Sequence, residues 1–254
     1  MIRGIIFDLG STLMYFEGKW EDVDKESTAS LIAFLKSNGV PVDDSFPALF
    51  LEQRKRGWKL AEETDIEHTV EEALSGALTR GHCVTRLGQF SLDGLLPRAV
   101  EAYSALGETC WRAYPDAMET LRALQSRGLR VGLISNADDD GIVHRMVAQH
   151  GLEPYLSPIL SSAAEPRWRK PDPRIFRLVS AAWHLPPAEI AMVGDAARYD
   201  VLGAHRAGMR GILIDRGDNA PWQKVPDELA SDPAVKPDAT VRSLAEIPGV
   251  IERM

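Results

Sequence analysis

The chain has 254 residues, of which 44% are hydrophobic and 26% charged, a composition typical of a globular protein with a substantial core. Its formal net charge of -8 argues against nucleic acid as a partner, because binding to phosphate backbones requires a basic surface. The sequence contains no apolar run of roughly 18 residues that would suit a membrane span, and we expect no signal peptide because the first predicted strand begins almost at once. Cys83 and Cys110 are too few for a disulfide framework. We therefore predict a soluble, cytoplasmic protein that binds neither nucleic acid nor membranes.

The first predicted element is a short strand that ends at a carboxylate. The apolar residues 5–7 are followed by Asp8 and then by a turn that contains Gly10, Ser11 and Thr12. A continuous apolar run of this length indicates a buried parallel strand, and open α/β sheets bind ligands just beyond the carboxyl ends of such strands. Asp8 is therefore a candidate site residue, although Asp, Gly and Ser also end many strands for structural reasons alone.

Residues 16–113 show helical periodicity and no convincing strand. Helices are predicted at Trp20–Asn38, Phe46–Glu63 and Val70–Arg80, with one or two more in Leu92–Ala113. This all-helical block separates the first strand from the later strands and helices, so we interpret it as an insertion. The predicted division is a core of residues 1–15 and 114–254 and a helical domain of residues 16–113.

From Tyr114 onward, predicted helices alternate with predicted strands. The strands are residues 129–134, 158–160, 190–193, 211–214 and 239–241, and the helices are residues 116–127, 141–150, 172–183 and 200–207. This alternation predicts the α/β class, with a Rossmann-like parallel sheet and helices on both of its faces. Residues 217–237 contain four prolines and are interpreted as a surface loop.

Polar residues follow the strands of this second half. Ser135-Asn136 and Gly194-Asp195 end strands, while Lys170 and Asp200 lie at or just before helix starts. In a doubly wound sheet all of them face the same crevice as Asp8. Carboxylates that lie close together repel each other, and a hard cation such as Mg²⁺ neutralises them with oxygen ligands. Taken singly, Asp195 or Asp200 could equally be a helix cap.

Four short segments resemble the motifs of the haloacid dehalogenase-like (HAD) hydrolase superfamily. They are Asp8-Leu9-Gly10-Ser11-Thr12-Leu13, Ser135-Asn136, Lys170-Pro171, and Gly194-Asp195 with Asp200. They occur in the family's order, and the helical block has the position of a C1-type cap domain. The resemblance extends from residue 2 to about residue 245, and the segment 194–209 is especially similar.

The resemblance implies a Mg²⁺-dependent phosphatase that acts on a small phosphorylated metabolite through an aspartyl-phosphate. Asp8 would be the nucleophile, Ser135 and Lys170 would complete the catalytic set, and Asp200 would orient Lys170 or a metal-bound water. The implied phosphate-binding residues are Ser135, Asn136, Lys170 and Thr12, and the implied metal-binding residues are Asp8, Gly10 through its carbonyl, Asp195 and Asp200.

The main departure from the family pattern is Gly10. Family phosphatases usually have a second Asp at this position as general acid and base, and losing such a group typically costs about 10²–10⁴ in rate. A catalytically weak or inactive HAD-fold binding or regulatory protein is therefore an alternative. A 2-haloacid dehalogenase is a third one, although those enzymes use no metal and usually carry an aromatic residue at position 10. The substrate stays open, as does the choice between a monomer and a homodimer.

Two groups of basic residues could meet an anionic substrate. Arg167 and Arg169 precede Lys170, and residues 54–56 form a basic run with Lys59 on a predicted cap helix. Charged runs are more often solvated than functional, so we interpret both groups as solvated surface.

Overall fold

A six-stranded parallel sheet forms the centre of the protein in the computed structural model, which describes residues 1–81, 92–217 and 220–254. The strand order is β5-β4-β1-β6-β7-β8. The strands are β1 (Gly4–Phe7), β4 (Arg130–Ser135), β5 (Ile159–Ser161), β6 (Ile190–Gly194), β7 (Arg210–Ile214) and β8 (Ala239–Val241). Every predicted strand is present, so the prediction of a parallel α/β sheet is confirmed. Cys83 lies outside the described residues.

Strand β1 is central because all four of its residues are buried and it pairs on both sides. Phe7 is in register with Leu133 of β4 and with Val193 of β6. The continuous apolar run in the sequence is therefore that of a strand covered on both faces. Residues that follow β1, β4 and β6 consequently meet at one edge of the sheet.

Helices cover both faces of the sheet, as predicted. Side chains of β1 alternate between the faces, so Phe7 belongs to one hydrophobic cluster and Ile6 to the other. The first face carries α5 (Ala117–Ser126), α6 (Asp140–Gln149) and α9 (Ile247–Ile251), and the second carries α7 (Pro173–Trp183) and α8 (Leu202–Arg206). The predicted helix at residues 200–207 is shorter as an α-helix, because a π-helical turn at Ala197–Val201 precedes α8. Helix α9 was not predicted.

The described part of the insertion, residues 16–81 and 92–113, contains four helices and has a hydrophobic cluster of its own. They are α1 (Trp20–Ser37), α2 (Phe46–Thr64), α3 (Val70–Arg80) and α4 (Leu92–Glu108). Helix α3 begins where predicted because Thr69 and Glu72 form a reciprocal capping box. Within the described ranges, no helix combines the length and hydrophobicity that crossing a membrane requires.

Two short strands connect the insertion to the sheet. Strand β2 (Met14–Phe16) pairs antiparallel with β3 (Trp111–Ala113), so the chain leaves and returns through a two-stranded ribbon. The prediction of helix through residue 113 without a strand is therefore wrong at β3. A three-residue strand that pairs with a segment far away in the chain leaves no readable period in the sequence.

Candidate active site

The nucleophile candidate is held by a buried ion-pair arrangement at the carboxyl edge of the sheet. Lys170 Nζ donates hydrogen bonds to Asp8 Oδ1 at 2.5 Å and to Asp200 Oδ1 at 2.7 Å. All three residues are buried, and they come from the end of β1, the segment before α7 and the π-helical turn. The structure therefore brings together three residues that were predicted to meet at this edge.

A third carboxylate, Asp195, completes an acidic cluster. Asp8, Asp195 and Asp200 each offer a carboxylate oxygen, and these atoms lie within 4.8 Å of one another. The group could hold a metal ion, since a set of oxygen donors of this kind suits a hard divalent cation such as Mg²⁺.

The charge state of the cluster reflects its burial. Burial raises the pKa of Asp8 to about 7; Lys170 opposes the shift, whereas Asp200 and Asp195 add to it. Burial likewise raises the pKa of Asp195 to about 6, with Asp200 adding to the shift. Burial alone lowers the pKa of Lys170, but Asp200 and Asp8 raise it above its ordinary value, so the ammonium stays charged. Among the described residues, one ammonium therefore faces three carboxylates, and added positive charge favours the ionised forms of these carboxylates.

The position of Asp200 requires a glycine at the end of β6. A Cβ atom on Gly194 would lie 2.2 Å from Asp200 Cγ, which is too close for any residue other than glycine. The second oxygen of Asp200 accepts a hydrogen bond from the Ala196 N–H at 3.0 Å. The close packing of Asp200 against the end of β6 therefore explains why residue 194 is a glycine.

The predicted phosphate-binding residues differ in their surroundings. Ser135 is buried at the end of β4. The side-chain amide of Asn136 donates to the Lys170 carbonyl and accepts from the Lys170 N–H, both at 2.9 Å, so it holds the Lys170 backbone. Thr12 is fully buried, and within the described part of the chain its hydroxyl has no hydrogen-bond partner. Contact of these residues with phosphate stays a prediction.

An aromatic ring lies where a side chain at position 10 would point. A Cβ atom on Gly10 would lie 3.2 Å from Cη2 of Trp111. Trp111 packs edge-on against Phe16 and Trp20, whose rings are stacked with centroids 3.8 Å apart. This aromatic group was not predicted, because Trp111 reaches Gly10 only through the unforeseen ribbon.

Two residues of the predicted surface loop also reach the site. Trp222 Nε1 donates to Asp195 Oδ2 at 3.0 Å, and Gln223 Nε2 donates to the same oxygen at 2.8 Å. Part of the segment 217–237 is therefore a wall of the site, in contrast to its interpretation as surface alone. No periodicity or motif in this segment could have indicated the contact.

The insertion binds the core next to the site through a set of ion pairs that we call the docking surface. Glu62 accepts hydrogen bonds from Arg169 at 3.1 Å and from Tyr199 at 2.7 Å and also pairs with Arg198. The other acids of the docking surface are Glu67, which pairs with Arg169 at 3.4 Å, and Glu72, which pairs with Arg167. The prediction that Arg167 and Arg169 are solvated is therefore wrong, because isolated charge runs do not reveal acids on a distant helix.

The basic run of α2 is also only partly solvated. Arg54 stacks over Trp58 at 4.6 Å and Tyr103 at 5.0 Å and pairs with Asp24. Its side chain is mostly buried, so the prediction of a solvated residue is wrong for Arg54.

Backbone hydrogen bonds reinforce the docking surface. The Glu67 N–H donates to the Arg167 carbonyl at 2.8 Å, and the Arg169 N–H donates to the Asp65 carbonyl at 3.1 Å. The two segments thus form an isolated antiparallel bridge between Ile66 and Trp168. Main-chain hydrogen bonds therefore join the insertion to the segment that ends at Lys170.

Comparison with known proteins supports the resemblance in the sequence. The sequence model of the haloacid dehalogenase-like hydrolase family matches residues 2–208. The chain belongs to this family. HAD-like hydrolases with related sequences include a phosphoserine phosphatase of Thermus thermophilus, 37% identical over 53% of this chain and 49% of that protein. The (S)-2-haloacid dehalogenase 4A of Burkholderia cepacia is 34% identical over 62% of each chain. The alignments thus span about half to three-fifths of these relatives' lengths.

A solved HAD-like structure matches over the whole chain. The 2-haloacid dehalogenase from Pseudomonas syringae pv. Tomato DC3000 superposes with a TM-score of 0.69 at 25% identity, covering 100% of this chain and 99% of that one. The fold that the resemblance implied is therefore confirmed. Relatives of both phosphatase and dehalogenase type occur, so the family alone does not decide between the two reactions.

Proposed function

We propose that the chain is a Mg²⁺-dependent phosphatase that hydrolyses a small phosphorylated metabolite in the cytoplasm through an aspartyl-phosphate on Asp8. The observation that carries the proposal is the buried arrangement in which Lys170 bonds both Asp8 and Asp200 while Asp195 completes a cluster of three carboxylates. A site with excess negative charge suits a substrate that arrives with a divalent cation.

In the proposed first step, an Asp8 carboxylate oxygen bonds to phosphorus as the bond from phosphorus to the leaving oxygen breaks. The leaving oxygen keeps the electron pair and takes a proton from water, because residue 10 has no side chain to supply one. Water then adds to phosphorus and gives up a proton to the hydroxide that the first step leaves, the bond from phosphorus to Asp8 breaks, and inorganic phosphate leaves with the carboxylate restored. Lys170 stays charged throughout and stabilises the negative charge on the nucleophile and the phosphoryl oxygens.

The proposed metal ligands are the carboxylates of Asp8, Asp195 and Asp200 and the backbone carbonyl of Gly10. When bound, Mg²⁺ would withdraw charge from the phosphoryl oxygens and offset the repulsion among the carboxylates. Ser135 and Thr12 are proposed to donate hydrogen bonds from their hydroxyls to the phosphoryl group. Asn136 is proposed to donate from its backbone N–H, because its side-chain amide holds the backbone of Lys170.

The helical domain of residues 16–113 is proposed to act as a cap on the core of residues 1–15 and 114–254. Its docking surface lies beside Lys170, and its Trp111 lies beside Gly10. A cap in this position would exclude water from the crevice and contact the part of the substrate that lies beyond the phosphate.

Hydrolysis of an activated aryl phosphate, with and without Mg²⁺, tests the proposal. We expect turnover that requires Mg²⁺ and that falls to the background rate in Asp8→Asn, which keeps the shape of the side chain but removes the nucleophile. The matched control is Asp43→Asn on the surface of the insertion, which we expect to retain full turnover. Equal rates for the wild type and Asp8→Asn would overturn the proposal.

Gly10 supports a second candidate function, a weakly catalytic binding or regulatory protein. Position 10 offers no proton, and Trp111 lies beside it. This candidate predicts that phosphorylated ligands bind with Mg²⁺ but are not turned over, which calorimetry and the phosphate assay together detect. Release of halide from a 2-haloacid without metal would instead support the dehalogenase reaction named for several relatives.

A further inference from the structure

The loop segment from Ala220 to Lys224 contacts the acidic cluster at a single atom. Trp222 Nε1 and Gln223 Nε2 both donate to Oδ2 of Asp195, at 3.0 Å and 2.8 Å. We infer that Trp222 and Gln223 are positioning residues that hold Asp195 ready to bind a divalent cation. The inference rests on the proposed function, because it assigns these residues a role toward the same metal.

The orientation of the Gln223 amide is fixed by its own loop. Gln223 Oε1 accepts a hydrogen bond from the Ala220 N–H at 2.9 Å, and the Gln223 N–H donates to the Ala220 carbonyl at 3.0 Å. Since the oxygen of the amide is used by a backbone donor, its nitrogen is the end that must face Asp195. The loop therefore fixes the amide orientation in which Gln223 Nε2 donates to Asp195.

The two hydrogen bonds to Oδ2 determine which oxygen of Asp195 is available to a cation. They use the lone pairs of Oδ2, so Oδ1 is the oxygen that can face a cation. They also keep the carboxylate from rotating away from Asp200, which repels it. Hydrogen bonds to the ligands of a metal typically change its affinity by about 10–100-fold when they are removed.

The exposure of Trp222 supports a polar role for this residue. Trp222 is 41% exposed, so packing alone gives little reason for a large apolar side chain in this loop. Its N–H is nevertheless paired with a buried carboxylate, since Asp195 is only 6% exposed. The group of Trp222 that positions Asp195 is thus the indole N–H.

Mg²⁺ affinity measured by isothermal titration calorimetry tests the inference without relying on turnover. Trp222→Phe keeps the ring and removes the donor, and Gln223→Leu removes the second donor. We expect each single variant to weaken Mg²⁺ binding and the double variant to weaken it by about 10–100-fold. Trp58→Phe is the matched control, because Trp58 is 42% exposed and lies in α2, and its Mg²⁺ affinity should equal that of the wild type.

A second readout separates positioning from a merely structural role. At saturating Mg²⁺, kcat of the double variant should return to within a few-fold of the wild type, whereas a loop that only stabilises the fold would lower the melting temperature and leave Mg²⁺ affinity unchanged. Unchanged affinity in the double variant, beside a wild type that binds Mg²⁺ and an Asp195→Asn variant that does not, overturns this inference alone. A wild type that binds no Mg²⁺ overturns the proposed function as well.

Discussion

The acidic cluster and the docking surface both bring several charged side chains together, but they balance the charges differently. In the acidic cluster, three carboxylates face one ammonium from Lys170. At the docking surface, the acids Glu62, Glu67 and Glu72 face arginines from the core: Arg167, Arg169 and Arg198.

The difference separates a structural contact from a candidate site. Matched acids and arginines neutralise each other within the protein, so the docking surface is complete without a ligand. The acidic cluster is not, because burial and mutual repulsion raise the pKa values of Asp8 and Asp195. An unbalanced buried charge is a physical reason to expect a bound cation.

The largest expected effect comes from removing Lys170, the cation that donates to the acidic cluster. In Lys170→Met, we expect kcat to fall by about 10²–10³-fold, the usual loss for a group that stabilises transition-state charge. Steady-state hydrolysis of an aryl phosphate measures it. Arg169→Met, which removes a neighbouring cation of the docking surface, is the control and should lower kcat far less. Equal losses in the two variants would contradict the distinction between the two regions.

Adding a carboxylate beside the cluster should have the next largest effect. We expect Gly10→Asp to raise kcat by about 10²-fold, the lower end of the range for general acid–base groups, because Trp111 must shift to admit the Cβ atom. The same substitution in a Trp111→Leu background should give a larger gain. An unchanged kcat in both backgrounds would show that proton transfer does not limit the reaction.

Breaking the docking surface should alter stability more than chemistry. Glu67 is buried, accepts a hydrogen bond from Ser162 at 2.7 Å and pairs with Arg169. We expect Glu67→Gln to lower the free energy of unfolding by about 1–2 kcal/mol, because it removes one charge of a buried pair. Denaturant unfolding measures this loss.

The matched control is an exposed pair in the same insertion. Glu52 pairs with Arg80 at 2.7 Å, and both side chains are more than half exposed. We expect Glu52→Gln to change the free energy of unfolding by less than about 0.5 kcal/mol. Similar losses in the two variants would show that burial does not distinguish the docking surface.

The smallest expected effect is a pH dependence of stabilisation by Mg²⁺. The pKa values of Asp8 and Asp195 are raised to about 7 and about 6, so the folded protein holds protons that the unfolded chain releases above pH 4. Stability of the metal-free protein therefore falls as the pH rises through this window. Mg²⁺ competes with these protons, so it should stabilise more at high pH.

Thermal unfolding with and without Mg²⁺ measures this dependence. At five times its Kd and pH 8, Mg²⁺ should contribute about 1 kcal/mol. This corresponds to a rise of about 2–4 °C in Tm for a chain of this size. At pH 5.5 we expect less than half of that rise. An equal rise at both pH values would contradict the assignment of Asp8 and Asp195 to the cation site.

The sheet and its polar edge could be predicted because their signals are local. Asp8 directly follows an apolar strand, and the segment around Asp195 and Asp200 joins a strand end to a helix start. Parallel topology then brings these residues together without any knowledge of side-chain contacts. The predicted meeting of Asp8, Lys170 and Asp200 is confirmed by the two hydrogen bonds of Lys170.

The remaining contacts could not be predicted because they join segments that are distant in the chain. Trp222 bonds Asp195 from a loop without periodicity, and Trp111 reaches Gly10 from a strand of three residues. Asn136 shows a subtler limit. It was correctly assigned to the edge of the sheet, but nothing in its position indicated that its amide holds the backbone of Lys170.

The backbone bridge between Ile66 and Trp168 ties the insertion to the segment that leads into Lys170. If the insertion rotates away from the core, it must either break two main-chain hydrogen bonds or pull residues 167–169 along with it. In the second case Lys170, the next residue, is drawn with them and its hydrogen bond to Asp8 lengthens. Under the proposed function, opening of the crevice and loss of the hydrogen bond to Asp8 would then occur together, so Lys170 would support the Asp8 carboxylate fully only in the closed arrangement.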